Sequence, residues 1–192
     1  MEYSRNFRWK YVFGVYPLQQ YLIPLEGGRL QALTVAWDAR PQTEGGKRWY
    51  HLYPDELISH SDPLHWTGPY HNWNARCAEC HSTNVRKNYN VETDSYDTSY
   101  SEIDVGCEAC HSPGRAHIEA ADQGRVGEVE HGGFEVSLKG NMFWERSPGA
   151  SVAGSSKKAS PMQIENCGRC HSRRRTLGDY HYGHSLLDTH SL

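Results

Sequence analysis

Three copies of the pattern C-x-x-C-H contain every cysteine of this chain, at residues 77–81, 107–111 and 167–171. The pattern predicts covalent c-type haem, in which two thiols bond to the porphyrin and the next histidine becomes the proximal iron ligand. The predicted proximal ligands are His81, His111 and His171. The predicted attachment residues are Cys77, Cys80, Cys107, Cys110, Cys167 and Cys170. The sequence therefore predicts three covalently attached haem c groups.

Zinc binding and redox-active disulfides are the alternatives for paired cysteines. Two C-x-x-C pairs can build a four-cysteine zinc site. However, 26 residues separate Cys80 from Cys107, the third pair would have no partner, and zinc does not require a histidine after each pair. A thioredoxin-like use of the motif needs a βαβ setting, which the sequence does not show. Zinc stays the weaker alternative.

The aliphatic content is low for a chain that folds around its own side chains. Leu, Ile, Val and Phe make up 32 of 192 residues, about 17%. The net charge of -3, the 6 Trp and the 12 Tyr nevertheless differ from a disordered composition. Three haems would supply the missing apolar mass, with aromatic rings packed on them. We therefore expect a mainly α and irregular, haem-nucleated fold, and a haem-free chain that is largely unfolded.

The chain divides by composition into a β-rich segment, residues 1–60, and a region with the three motifs, residues 61–192, which together would form one cytochrome domain. β-prone runs at 21–25 and 30–37 flank the turn signal Gly27-Gly28, so the fold should include a small N-terminal β-hairpin layer. The connection between the second and third motifs is rich in Gly and Ser.

Charge and hydropathy restrict the partners and the location. A near-neutral charge balance gives no case for nucleic acid, and no apolar run approaches the length of a membrane span. Residues 1–10 are basic and aromatic and no apolar h-region follows them, so we expect no signal peptide in this sequence, although covalent haem attachment takes place outside the cytoplasm. We therefore expect a periplasmic or otherwise extracytoplasmic protein, and we interpret this chain as a fragment of a longer exported one.

Several runs resemble a known family. Residues 13–22, 28–33, 62–68, 77–84 and 107–111 resemble multihaem c-type cytochromes of the cytochrome c-554/hydroxylamine-oxidoreductase-like group, which are often fused to tetratricopeptide repeats. The resemblance implies a further C-x-x-C-H upstream and helical repeats downstream, which agrees with a fragment. Ser112 departs from the family, which tends to have Gly there. Serine should be tolerated unless the backbone needs a positive φ.

Six-coordinate irons would need distal histidines in addition to the proximal ones. His117 lies about two helical turns past His111, so it should point away from its own haem and ligate a neighbour. The run C-H-x-P-G-x-x-H also resembles the distal-ligand motif of related cytochromes. His65, in a loop beside Trp66, is the second candidate, followed by His190 and His184.

Two functions follow from iron coordination. If every iron is six-coordinate, the protein transfers electrons to and from redox partner proteins, such as other cytochromes, and no residue is catalytic. If one iron has an open position, the protein is a reductase or oxidoreductase of small nitrogen or sulfur oxides. Arg115, His181 and the run 173–175 would then be the local candidates for substrate binding. The surplus of histidines favours the electron carrier.

Overall fold

The structure is a computed structural model and describes residues 6–139, 144–155 and 161–192. Its strands are β1 (Tyr11–Phe13), β2 (Leu18–Pro24), β3 (Leu30–Asp38), β4 (Arg48–His51), β5 (Tyr89–Asn90), β6 (Ser95–Tyr96), β7 (Trp144–Glu145), β8 (Gly154–Ser155), β9 (Arg175–Thr176) and β10 (His190–Ser191). Its α-helices are α1 (Trp73–Arg76), α2 (Ala78–His81), α3 (Glu108–His111), α4 (Arg115–Asp122) and α5 (Pro161–His171). Short 3-10 helices lie at Gln42–Glu44, Pro69–His71, Glu130–Gly133 and Leu186–Asp188.

The described residues form two compact units. The first contains the described residues up to His81 together with Val85–Ser101. The second contains Ser82–Asn84 and the described residues from Glu102 to Leu192. Residue 60, where the sequence predicts the end of a β-rich segment, lies inside the first unit, and that division stays a prediction. The first C-x-x-C-H motif therefore belongs to one unit, and the second and third motifs belong to the other.

An antiparallel sheet in the order β1-β2-β3-β4 forms one layer of the first unit. The hairpin predicted around Gly27-Gly28 is present as β2 and β3, with Leu22 opposite Ala32. Gly28 has a φ of +69°, and a Cβ there would lie 2.0 Å from the carbonyl oxygen of Tyr96. Only glycine fits this turn, since it alone tolerates both the positive φ and the close backbone approach.

The core of the first unit lies between one face of this sheet and the short helices. Its buried members are Leu22, Leu30 and Ala32 from the strands with Trp73 and Ala78 from the helical segment. Partly buried hydrophobic residues complete it, and one of them is an attachment cysteine: Tyr11, Phe13, Cys77, Val85, Tyr100. The sheet thus forms a protein-only apolar core next to the first motif.

The second unit has no comparable sheet among its described residues. Its strands form two-stranded pairs, β7 with β8 and β10 with β9. Its buried hydrophobic residues are Ala120, Val136 and Leu186. Thr83 connects the segment Ser82–Asn84 of this unit to the residues just before the second motif. The Thr83 Oγ1 donates to the Asp104 carbonyl at 2.9 Å and accepts from the Gly106 N–H at 2.8 Å.

The helices of both units are short. Among the described residues, no helix is both long enough and apolar enough to span a bilayer. Helix and strand occur together, with most strand residues in the first unit. That haem nucleates this fold stays a prediction.

Candidate haem-attachment sites

The first motif begins at the end of α1 and continues through α2. Asn72 caps α1, its Oδ1 accepting from the Ala75 N–H at 2.9 Å. Cys77 donates its N–H to the Trp73 carbonyl at 3.0 Å, and the His81 N–H donates to the Cys77 carbonyl at 3.1 Å. The motif is thereby one helical turn anchored by a buried tryptophan.

Asn74 fixes this turn against the hairpin. It is buried, its Oδ1 accepts from the Leu30 N–H at 2.8 Å, and its Nδ2 donates to the Thr98 Oγ1 at 2.9 Å. The thiols of Cys77 and Cys80 are half-buried. Burial raises the pKa of the Cys77 thiol, and the neighbouring Cys80 raises it further.

The second motif forms α3 together with Cys107, which directly precedes the helix. The His111 N–H donates to the Cys107 carbonyl at 3.0 Å, and the Cys110 N–H donates to the same carbonyl at 3.2 Å. Both thiols are exposed to solvent. Glu108 binds the following turn, its Oε1 accepting from the Gly114 N–H at 2.6 Å.

Ser112 ends α3 with a φ of +72° and a ψ of 173°, and it is fully buried. We expected serine to be tolerated here unless the backbone needs a positive φ. The backbone does have a positive φ at Ser112, so serine is strained at this position. Ser112 holds a conformation that is almost restricted to glycine. Its Oγ offsets part of the strain by accepting from the Glu135 N–H at 2.9 Å.

The third motif occupies the last turn of α5, which runs Pro161–His171. Cys167 and Cys170 are exposed, as is His171. The Ser172 Oγ donates to the Gly168 carbonyl at 2.7 Å, which satisfies one of the carbonyls left free at the helix end. The motif lies at the end of an eleven-residue helix, so its three functional side chains share a regular backbone.

The geometry of all three motifs fits covalent haem. In a helical turn, residues three or four positions apart are neighbours, so the two cysteines of each motif lie close together and the histidine lies close to the first cysteine. Two thioether bonds to a single porphyrin need two cysteines that lie close together. None of the six cysteines, all of which lie in the described ranges, forms a disulfide. The sulfurs that haem attachment would use are therefore not cross-linked to one another.

His117 lies beside the second motif, packed on an aromatic ring. Its imidazole stacks on Phe134 with centroids 4.4 Å apart and planes at 20°, and His111 contacts the same ring at 5.5 Å. His117 Nδ1 donates to the Gly132 carbonyl at 2.7 Å, because a carbonyl oxygen can only accept. The ring is thus oriented with Nε2 as its acceptor nitrogen, the arrangement usual for a metal-ligating histidine.

The other predicted distal histidines lie in different settings. His65 is half-buried in the first unit, with Nδ1 2.7 Å from the Thr67 Oγ1. His190 is 2% exposed in β10, with Nδ1 2.9 Å from the Thr189 Oγ1. His184 is exposed beside His181, with ring centroids 6.0 Å apart. Their assignments as iron ligands stay predictions.

Polar residues of α5, the helix that carries the third motif, contact the second motif, which the sequence did not predict. Asn166, directly before Cys167, donates its Nδ2 to the Cys110 carbonyl at 2.7 Å. Arg169, between the two cysteines, donates its Nη1 to the Ala109 carbonyl at 3.2 Å. An arginine inside a C-x-x-C segment is the one sequence signal that could have drawn attention to this contact.

The residues suggested for an open-iron enzyme lie in separate segments of the second unit. Arg115 begins α4 and is exposed, and Arg173 and Arg175 are also exposed. Arg174 donates its Nε to the Arg169 carbonyl at 2.5 Å. Within the described ranges, no three His, Cys, Asp or Glu side chains are grouped so that they could hold a metal ion.

Comparison with known proteins gives two findings. Residues 47–112, which include the first two C-x-x-C-H motifs, match the sequence family described as cytochrome c554 and c-prime. A solved structure, the undecaheme cytochrome from the S-layer of Carboxydothermus ferrireducens, is similar at 23% identity over 61% of this chain, with a TM-score of 0.37. This chain covers 15% of the length of that cytochrome. No curated protein sequence is significantly similar to this chain. The family match supports a c-type cytochrome with covalently bound haem c.

Proposed function

We propose that this protein transfers electrons and binds three covalent haems, one at each C-x-x-C-H motif. The observation that carries the proposal is that all three motifs adopt the same helical turn and that none of their cysteines forms a disulfide. The family match at residues 47–112 supports it for the first two motifs. Bound haem would supply one-electron iron chemistry, and the chain would supply attachment, axial ligation and the surrounding charges.

The chain would contribute the iron ligands through its histidines. His81, His111 and His171 would be the proximal ligands. His117 is the best supported distal ligand, because the Gly132 carbonyl and the Phe134 ring already orient it. Histidine at both axial positions keeps potentials lower than methionine would, and it leaves no open position for a substrate. Redox partner proteins, such as other cytochromes, would donate and accept the electrons.

The proposed location is extracytoplasmic. Covalent attachment at C-x-x-C-H takes place after export, so a protein with three such motifs should acquire its haems there. The similar undecaheme cytochrome belongs to an S-layer.

Mass measurement after expression with a haem-attachment system tests the haem count. Wild-type protein should gain three haem masses. Replacing both cysteines of one motif by alanine should remove one haem mass in each of three variants, and His131→Ala, at an exposed histidine, should remove none. An unmodified wild-type mass, or bound zinc in place of haem, would refute the proposal.

Spectroscopy of the haem-loaded protein separates the electron carrier from an open-iron enzyme. The ferric protein should be entirely low-spin, and the reduced protein should not bind carbon monoxide. His117→Ala should create one high-spin, carbon monoxide-binding iron, whereas His131→Ala should leave all irons low-spin. Carbon monoxide binding by the wild-type protein would favour the enzyme.

A further inference from the structure

The second and third motifs share direct hydrogen bonds inside the second unit. Asn166 binds the Cys110 carbonyl, and Arg169 binds the Ala109 carbonyl. Both acceptors are backbone groups of the second motif, and both donors belong to the helix of the third. These contacts fix the two attachment sequences against each other.

Tyr182 adds further hydrogen bonds between the second motif and Arg169. Its hydroxyl lies 2.7 Å from the Glu108 carbonyl and 3.1 Å from the Ala109 carbonyl. The Arg169 Nη1 donates to the same hydroxyl at 3.1 Å. Arg169, Tyr182 and the backbone of the second motif therefore form one connected polar cluster.

Aromatic rings hold the Arg169 guanidinium in place. Its Cζ lies 4.7 Å from the Tyr180 ring centroid and 5.2 Å from that of Tyr182. Such contacts attract the cation through the ring quadrupole. An arginine keeps its positive charge at every pH that proteins tolerate. The charge is therefore fixed in position as well as in sign.

No carboxylate of the described residues forms an ion pair with Arg169. The nearest acidic residue along the helix is Glu165, one turn earlier, but its Oε2 accepts from the Leu186 N–H at 2.5 Å. The Arg169 Nε is buried and has no hydrogen-bond partner among the described residues. Arg169 thus carries a positive charge that the described part of the chain does not neutralise by direct pairing.

We propose that Arg169 raises the reduction potentials of the second and third haems by holding one fixed positive charge against both attachment sequences. The proposal rests on the proposed function. Each reduction adds one electron from an external mediator to a ferric iron, which lowers the charge of the site by one. A nearby positive charge favours this change, and its removal should oppose it.

Redox titration of the haem-loaded protein tests the role of Arg169. In Arg169→Gln, the equilibrium constant for reduction should fall about tenfold at two of the three haems, or about 59 mV for a one-electron couple. Arg169→Lys retains the charge, so its equilibrium constants for reduction should stay within about threefold of those of wild type.

Arg125→Gln is the matched control, because it removes the same charge from an exposed arginine of the second unit, whose side chain hydrogen-bonds to Gln123. It should change no equilibrium constant for reduction by more than about twofold. An equal shift in Arg125→Gln, or three unchanged potentials in Arg169→Gln, would overturn the role of Arg169. If Arg169→Gln fails to retain its haems, Arg169→Lys decides, and a tenfold fall there would refute the charge effect.

Mass measurement on the same samples separates the two proposals. Wild-type protein without three haems would refute the proposed function, and with it this inference. Three haems in wild type and Arg169→Gln, with unchanged potentials, would refute the inference alone.

Discussion

The same five-residue motif lies in two different environments in this protein. In the first unit, Cys77 packs against a sheet, and Trp73 is 2% exposed in the core beside it. In the second unit, four exposed thiols lie on helices joined by polar contacts such as Asn166 to Cys110. The first motif is positioned by apolar burial as well as by the hydrogen bonds of Asn74, whereas hydrogen bonds join the second motif to the third.

This difference indicates that the two units depend on haem to different degrees. Apolar burial contributes about 25 cal/mol per Å² without any cofactor, so the sheet and its helices should retain structure by themselves. The second unit buries little apart from Ala120, Val136 and Leu186. The expectation that a haem-free chain is largely unfolded therefore becomes more specific, because it should hold for the second unit far more than for the first.

Removing haem from each unit in turn tests whether the second unit depends on haem more than the first. Replacing Cys107 and Cys110 by alanine should cost the second unit most of its stability, on the order of 5 kcal/mol. Replacing Cys77 and Cys80 should leave the β2–β3 hairpin folded. Amide hydrogen exchange with peptide resolution would follow both units in each variant.

The decisive peptides are 18–38 in the first unit and 108–122 in the second. Rapid exchange of 18–38 in the Cys77/Cys80 variant would show that haem also holds the sheet together. Full protection of 108–122 in the Cys107/Cys110 variant would show that polar contacts alone suffice.

The core of the first unit gives the next largest effect. Trp73→Ala should destabilise this unit by about 3–5 kcal/mol, because it leaves a cavity beneath the sheet. Trp49 is the matched control, since it is 55% exposed on β4, and Trp49→Ala should cost less than about 1 kcal/mol. Urea denaturation followed by far-UV circular dichroism measures both. Equal losses from the two variants would show that the apolar core is not what holds the sheet to the first motif.

The sequence predicted features whose cause is local. The Gly27-Gly28 turn and its flanking runs identified the β2–β3 hairpin, because a turn and two alternating strands need only neighbouring residues. Each C-x-x-C-H motif is likewise complete within five residues. β4 was not predicted, since no turn signal identified it and its pairing with β3 follows from the tertiary fold.

The contacts between motifs could not be predicted for the same reason. Asn166 and Cys110 are 56 residues apart, and a bond to a backbone carbonyl leaves no trace in the identity of the acceptor residue. Burial of His190 in β10 also depends on a pairing with Thr176 that no local pattern indicates. The strain at Ser112 could be anticipated from the sequence, because the family that the chain resembles tends to have glycine at this position.

Acid should weaken the first unit through Asp38, which is buried at the end of β3. Arg40 donates its Nη2 to the Asp38 Oδ2 at 2.7 Å, and this bond lowers the pKa of Asp38 to about 2. A lowered folded-state pKa stabilises the protein above the unfolded value of about 4, and that stability is lost as pH falls from 4 towards 2. Asp38→Asn should therefore have a lower Tm than wild type at pH 5 and nearly the same Tm at pH 2.

The control for acid sensitivity is Asp55→Asn, which removes an exposed carboxyl from the same unit. Its Tm difference from wild type should be small and the same at pH 5 and pH 2. A Tm difference for Asp38→Asn that is also independent of pH would contradict the stabilising role of the Arg40 contact.

Substitutions of Ser112 should have the smallest effect on stability, and one of them should stabilise the second unit. Its backbone conformation costs about 1–3 kcal/mol for a residue other than glycine, and its Oγ bond to the Glu135 N–H returns about 1 kcal/mol. Ser112→Gly should therefore stabilise the second unit by about 1 kcal/mol, whereas Ser112→Ala keeps the strain, loses the bond and should destabilise it by about 1 kcal/mol. Urea denaturation of the haem-loaded variants measures both. If glycine proves no more stable than alanine at this position, the positive φ carries no strain, and polar contacts alone account for the turn after the second motif.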